Sequence, residues 1–176
     1  ALGHDVVGID IDHDKVHSLA SGRSPFHEPG LDEILAQGTA SGRLRFTAEP
    51  TAADLRGRGL HFITVGTPQA PGEGSADLSH LMCAVSMLVR LLDPDEGAVV
   101  VGKSTVPVGT AQRVEEALAP AGARLAWNPE FLREGFAVAD TLRPSRLVYG
   151  LSEDPVAARA GREALDEAYR SLLDAG

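Results

Sequence analysis

Short apolar runs alternate along the chain with stretches in which apolar residues return every third or fourth position. Asp5-Val-Val-Gly-Ile-Asp10 is a β-branched run closed by an acid, and Asp12 then stands as the N-cap of a helix carrying Val16 and Leu19. A loop with two prolines and a glycine, Ser24-Pro-Phe-His-Glu-Pro-Gly30, leads to a short helix through Leu31, Ile34 and Leu35. Leu44-Arg-Phe-Thr47 predicts a short strand. Leu60-His-Phe-Ile-Thr-Val-Gly66 predicts a strand covered on both faces and stopped by Gly66 and Pro68. After a flexible Pro71-Gly-Glu-Gly-Ser75, the residues Leu78, Leu81, Met82, Val85, Leu88, Val89 and Leu92 recur at helical spacing. Gly97-Ala-Val-Val-Val-Gly102 is the next buried strand, and Thr110 to Leu118 the next helix, closed by Pro120 and Gly122. Arg124-Leu-Ala-Trp127 and Arg146-Leu-Val-Tyr149 read as further strands around a helix near Gly135 to Asp140, and a long amphipathic helix from Pro155 runs almost to Gly176.

Strands alternating with helices through short loops predict an α/β fold with a doubly wound parallel sheet, since crossovers between parallel strands are almost always right-handed. At the start, Ala1-Leu-Gly-His4 reads as the end of a helix cut mid-element.

Composition narrows the function classes. Among 176 residues, 43% are hydrophobic and only 5% aromatic, which calls for a core of aliphatic packing in one sizeable domain. The formal charge of −9, with Lys and Arg scattered, repels a polyanion and argues against nucleic acid as a partner. The single cysteine, Cys83, excludes an intrachain disulfide, and no apolar run approaches the roughly 20 residues that span a bilayer. A cytoplasmic enzyme without membrane partners is expected. His13 and His17 stand four apart with no third ligand near them in sequence, so they read as surface residues and no metal is expected.

In a dinucleotide-binding fold, the acid that bonds the adenosine ribose ends the second strand, about 20 residues after a Gly-rich phosphate loop. Asp10 has that setting, but only nine residues precede it and no Gly-x-Gly-x-x-Gly occurs. The first strand and Gly-rich loop are therefore expected upstream of Ala1. A carboxylate there favours NAD over NADP, whose 2′-phosphate it would repel. Lys15, one helical turn on, reads equally as a contact to an adenosine or phosphate edge and as a solvated helix-face lysine.

Open α/β sheets bind ligands at the carboxyl ends of their strands, where Gly66-Thr-Pro68, Lys103-Ser-Thr105 and Asn128-Pro-Glu130 all fall. In Lys103-Ser-Thr-Val-Pro-Val-Gly109, a cation and two hydroxyls leave a buried strand before Pro107 and Gly109 turn the chain into a helix. Asn128-Pro-Glu-Phe-Leu-Arg-Glu-Gly135 sets Glu130 and Glu134 four apart, on one face if the segment is helical, with Arg133 beside them. Paired carboxylates hold water and share acid/base work, although the same spacing also suits a surface salt-bridge cluster.

These segments, with Asp10 and Lys15, Glu28-Pro-Gly-Leu31 and Pro144-Ser-Arg146, resemble the N-terminal domain of the UDP-glucose and GDP-mannose dehydrogenase family, collinearly over about the first 150 residues. The resemblance implies a Rossmann-like domain, with residues 1–154 as a partial NAD-binding domain and 155–176 as a helix leading towards a further domain. It implies two NAD-dependent oxidations of a nucleotide-sugar C6 alcohol to the carboxylate, through a cysteine thiohemiacetal and thioester that water hydrolyses. Carried onto this chain, Asp10 and Lys15 would bind the adenosine end of NAD, and Thr67 and Thr105 would line the cofactor site. Thr105 would also help hold the catalytic water, and Glu130 would assist its attack. Phe131, Leu132 and Arg133 would follow the nucleotide sugar largely through backbone, with Glu134 near the nicotinamide end. The roles of Glu130 and Glu134 are partly interchangeable on this reading.

Cys83 falls inside a helical pattern and not in the Gly-rich downstream segment of the family's nucleophile, so it is expected to pack in the core. The nucleophile is expected beyond Gly176, leaving this chain without turnover and a poor binder of NAD by itself, while the full-length protein would be a homodimer or larger. UDP-glucose is the first expected substrate, with GDP-mannose and UDP-N-acetylmannosamine as alternatives. A non-catalytic dinucleotide-binding module is the competing class, against which Thr105 and Glu130 argue.

Overall fold

In the computed structural model, which describes residues 2–70, 72 and 75–174, the chain runs through short strands and helices in alternation. They are β1 (Val6–Ile9), α1 (His13–Ala20), α2 (Leu31–Ala40), β2 (Leu44–Thr47), α3 (Ala52–Leu55), β3 (Leu60–Ile63) and α4 (Ser79–Leu91), followed by β4 (Val99–Gly102), α5 (Thr110–Leu118), β5 (Arg124–Trp127), α6 (Ala137–Leu142), β6 (Gly150–Leu151), α7 (Pro155–Ala168) and α8 (Arg170–Leu173). In the 71–75 stretch, expected to be flexible, residues 71, 73 and 74 lie outside the described residues. The chain divides into two compact units, residues 1–54, 131–146 and 168–176, and residues 55–130 and 147–167.

In the first unit β1 and β2 pair in parallel, Val6 opposite Leu44 and Ile9 opposite Thr47. Asp12 caps α1 as the sequence predicts, its side chain accepting from the N–H groups of Asp14 and Lys15. The expected helix end at the start does not form in Leu2–His4: Gly3 takes φ +89°, outside the helical region. His4 Nε2 instead donates to the carbonyl of Ala168 at 2.8 Å, the last residue of α7. That bond satisfies an orphan carbonyl at a helix end, and the single long helix expected from Pro155 closes there, with α8 following after Tyr169.

The second unit holds a sheet in the order β3-β4-β5-β6. β3, β4 and β5 are parallel, and every residue of β4 is buried, as an all-apolar run requires when helices cover both faces. Leu81, Val85 and Leu88 of α4 and Val114 and Leu118 of α5 form its core with Ile63, Val100 and Leu125. Cys83 is exposed, contrary to the packing role expected of it. At 100° per residue it stands about 200° from Leu81, on the opposite side of α4 from the buried stripe.

The strand expected at Arg146–Tyr149 lies later and runs the other way. It is Gly150–Leu151, antiparallel to β5, with Gly150 opposite Trp127. A Cβ at Gly150 would stand 3.2 Å from the Trp127 Cβ, and two residues earlier the Val148 carbonyl is taken by the Asn128 side chain at 3.0 Å. A side chain thus occupies the position of a ladder bond, and pairing begins only at the glycine.

Candidate functional site

In the second unit, the chain leaves β3, β4 and β5 at the same end of the sheet, because parallel strands in register finish together. Lys103 N donates to the Ile63 carbonyl at 2.9 Å and Asn128 N to the Gly102 carbonyl at 2.8 Å, extending the ladder one residue beyond each strand. Side chains then tie the loops. Ser104 Oγ donates to the Val65 carbonyl at 2.6 Å, and Thr67 Oγ1 to the Thr105 carbonyl at 2.7 Å. Ser104 therefore spans from one strand-end loop to another and does not merely satisfy its own turn. Thr105 itself is exposed, and its hydroxyl makes no hydrogen bond among the described residues. Among the residues predicted for the site, Thr67 and Thr105 are brought together directly.

Lys103 and Asn128 belong to the two long segments, but neither is singled out by sequence. Asn128 is 1% exposed, one of the few buried polar residues. Its Oδ1 accepts from Lys103 Nζ at 3.1 Å while its Nδ2 holds the Val148 carbonyl, so a single amide joins the exits of β4 and β5 to the approach of β6. Burial pushes the half-buried Lys103 ammonium below the ordinary lysine range, and the nearby Glu130 carboxylate opposes that shift. A lysine and an asparagine ending two apolar runs are the available signal. That one bonds the other depends on the β4–β5 register, Gly102 opposite Trp127.

Trp127 completes this end of the sheet. Its indole Nε1 donates to the Ser104 carbonyl at 3.1 Å, and its ring lies over Gly102, where a Cβ would come within 2.5 Å of the ring carbons.

In the first unit, Asp10 follows β1 directly, its Oδ1 accepting from Asp12 N at 3.1 Å and its Oδ2 ion-paired to Lys15 Nζ. Burial pushes its carboxyl up, but Lys15 and the Asp12 N–H outweigh that and hold it below its ordinary value. Lys15, its side chain 42% exposed, is thus tied to Asp10.

The segment that would set Glu130 and Glu134 on one face if it were helical has no helix and then turns. Residues 128–133 have no helix, 134 and 135 form a turn, and α6 begins only at Ala137. Pro129 explains the start, since the residue before a proline avoids the helical region. Gly135 explains the end, with φ +77°. The two carboxylates therefore share no helical face.

Phe131, Leu132, Arg133 and Glu134 are all exposed. Arg133 is clamped by Asp140, Nε to Oδ2 at 3.0 Å and Nη2 to Oδ1 at 2.7 Å, with its backbone N–H also on Oδ2 at 3.0 Å. The Arg133 guanidinium stacks 4.8 Å from the Phe136 ring, and that of Arg146 5.0 Å from Phe131. Both the side chain and the backbone N–H of Arg133 are thus committed to Asp140. Among the described residues, no group of three or more His, Cys, Asp or Glu is placed to hold a metal ion, and no helix is long and apolar enough to cross a membrane.

The family model for the UDP-glucose/GDP-mannose dehydrogenase family, NAD binding domain, matches residues 1–173. The chain is 45% identical over 175 residues to UDP-glucose 6-dehydrogenase of Rhizobium meliloti, covering 97% of this chain and 39% of that protein. Among solved structures, a UDP-glucose dehydrogenase from Pyrobaculum islandicum aligns with a TM-score of 0.84 at 39% identity, and GDP-mannose dehydrogenase from Pseudomonas aeruginosa, a ternary complex, with 0.86 at 30%. Each alignment covers 97% of this chain and 39% of the other. The likeness is to Rossmann-type dehydrogenases, the α/β class expected from the strand and helix alternation.

Proposed function

We propose that this chain, which belongs to the UDP-glucose/GDP-mannose dehydrogenase family and matches its NAD binding domain over residues 1–173, is the cofactor-binding part of an enzyme oxidising the C6 alcohol of a nucleotide sugar to a carboxylate. The observation that carries this reading is the cross-bonded cluster of Thr67, Lys103, Ser104, Thr105 and Asn128 at the ends of β3, β4 and β5, with Glu130 next in the chain. A module that only bound a dinucleotide would have no use for Glu130 or for a free Thr105 hydroxyl beside these bonds.

The residues fit NAD at its adenosine end. Asp10 follows β1 with its Oδ1 fixed by a backbone N–H and its carboxyl held below its ordinary value, which supports its assignment as the acceptor of ribose hydroxyls. When bound there, NAD would supply the hydride acceptor for the oxidations. Lys15 fixes the Asp10 carboxylate, and Thr67 braces the backbone of Thr105. The Thr105 hydroxyl and Glu130 hold and deprotonate the water that hydrolyses a thioester on a cysteine supplied by the rest of the protein. Phe131, Leu132 and Arg133 carry the nucleotide sugar on their backbone, and Glu134 stands towards the nicotinamide.

Residues 1–154 form the cofactor part on this reading, and 155–176 lead on towards the rest of a cytoplasmic homodimer or larger assembly. UDP-glucose is the substrate favoured by the relatives' names, ahead of GDP-mannose or UDP-N-acetylmannosamine. The test is NADH formation by the full-length protein with each sugar, expected at two NADH per UDP-glucose. Thr105→Ala and Glu130→Gln should slow turnover about 10²-fold or more, the usual contribution of acid/base groups, and accumulate the thioester visible by mass spectrometry. Normal turnover in both variants would refute the roles assigned.

A further inference from the structure

Glu28 lies in the loop before α2 and is 8% exposed, the one acidic side chain among the buried residues described. Taking a carboxyl group out of water is costly unless hydrogen bonds replace the water. Its Oε2 accepts from the backbone N–H of Gly135 at 3.0 Å, across 107 residues of sequence, while Oε1 is buried with no hydrogen-bond partner among the described residues. The side chain is thus committed to one bond, and the residue that donates it has a special backbone.

Gly135 has φ +77° and follows Glu134 in the turn closed by Phe136 N donating to the Arg133 carbonyl at 3.0 Å. No Cβ contact demands glycine there, since nothing lies within 4 Å of where a Cβ would stand. The backbone conformation alone demands it. On one side of this turn, Asp140 holds Arg133. On the other, Glu28 holds the amide immediately after Glu134. The exposed stretch 131–134 is therefore pinned at its end by a buried acceptor.

We propose that Glu28 is a positioning residue for nucleotide-sugar binding: it fixes the Gly135 turn and thereby the backbone of Phe131–Glu134 that faces the sugar nucleotide. This rests on the reading of 131–134 given above. Glu28 touches neither cofactor nor substrate and acts only through the Gly135 amide. A pre-set backbone lowers the ordering cost of binding, so losing it should weaken sugar affinity more than it slows chemistry.

Two measurements test this. In the chain itself, hydrogen exchange of the Gly135 amide in Glu28→Ala should quicken about tenfold or more, with Glu28→Gln, which keeps an acceptor oxygen in place, close to the native rate. In the full-length protein, Glu28→Ala should raise the KM for the nucleotide sugar about 3- to 30-fold, with kcat and the KM for NAD changed less than about twofold, and Glu28→Gln should restore it. Gly135→Ala, strained at its positive φ, should reproduce the KM effect without touching the buried carboxyl. A native sugar KM in Glu28→Ala, or a Glu28→Gln variant as impaired as Glu28→Ala, overturns the proposal while leaving the dehydrogenase reading intact. Absence of any sugar-dependent NADH formation by the native protein overturns both.

Discussion

Gly102→Ala probes the packing that holds the strand-end cluster together. A methyl group at Gly102 would stand 2.5, 2.6 and 2.6 Å from three carbons of the Trp127 ring, where ordinary carbon contacts lie at about 3.5–4.0 Å. The ring must retreat by about 1 Å to restore that spacing. It cannot turn freely, because Nε1 is bonded to the Ser104 carbonyl and Gly150 packs against the Trp127 Cβ on the neighbouring strand. Overpacking of this kind costs about 1–3 kcal/mol, and weakening the indole bond adds about 0.5–1.5 kcal/mol. The lower entropy of the unfolded alanine chain returns about 0.4–1 kcal/mol, leaving a net loss of about 0.5–4 kcal/mol. For a chain of this length that corresponds to a fall in Tm of about 1–16 °C. Trp127 is the only tryptophan, so its emission during thermal or urea unfolding reports the affected position directly. Gly66→Ala is the control, since a Cβ there meets nothing within 4 Å and its φ is not positive. In a Trp127→Leu background the cost of Gly102→Ala should shrink, giving a coupling energy of the size of the clash. A native melting curve and unshifted emission in Gly102→Ala would refute the close contact.

The Arg133 guanidinium and N–H hold the Asp140 carboxyl down at about 2, against an ordinary value of 3.8. A depressed carboxyl stabilises the folded state above its unfolded value and loses that contribution as pH falls through its folded one, so the Arg133–Asp140 clamp should release between about pH 4 and 2. The Arg133 amide resonance should report it, and an Asp140 midpoint at the ordinary carboxylate value would contradict the bidentate geometry. Cys83, exposed on α4, should react with a thiol reagent at the rate of a model thiol without unfolding, and Cys83→Ser should shift stability by no more than about 0.5 kcal/mol; a thiol protected until the protein unfolds would show that α4 is turned otherwise.

Periodicity is sufficient for elements whose local and tertiary preferences agree. β2, α5 and β5 begin and end at the residues their pattern indicates, because strong β-formers or an apolar stripe meet clear stop signals on both sides. It fails where a single long-range bond decides the outcome. Arg146–Tyr149 has the composition of a strand, but the Asn128 amide takes the Val148 carbonyl and pairing waits for Gly150. Spacing suggests Glu130 and Glu134 on one helical face, yet Pro129 and the positive φ of Gly135 keep the segment out of a helix. Glu28 gives no sign of its burial, because a polar residue between histidine and proline reads as surface loop until Gly135 is seen against it.

By itself the sequence determined the alternation of strands and helices, the Asp12 cap, the acid ending β1 and the two long segments that mark the family. These are local properties, fixed by propensity, periodicity and residue type within a few positions. The tertiary structure alone decided which strand-end residues meet: Thr67 with Thr105, Ser104 with Val65, Lys103 with Asn128, and Glu28 with Gly135. Those pairings depend on strand register and on groups 25 to 107 residues apart in the chain, which no local pattern encodes. The two long segments therefore mark the family, while the register of parallel strands and one buried carboxyl decide which groups meet.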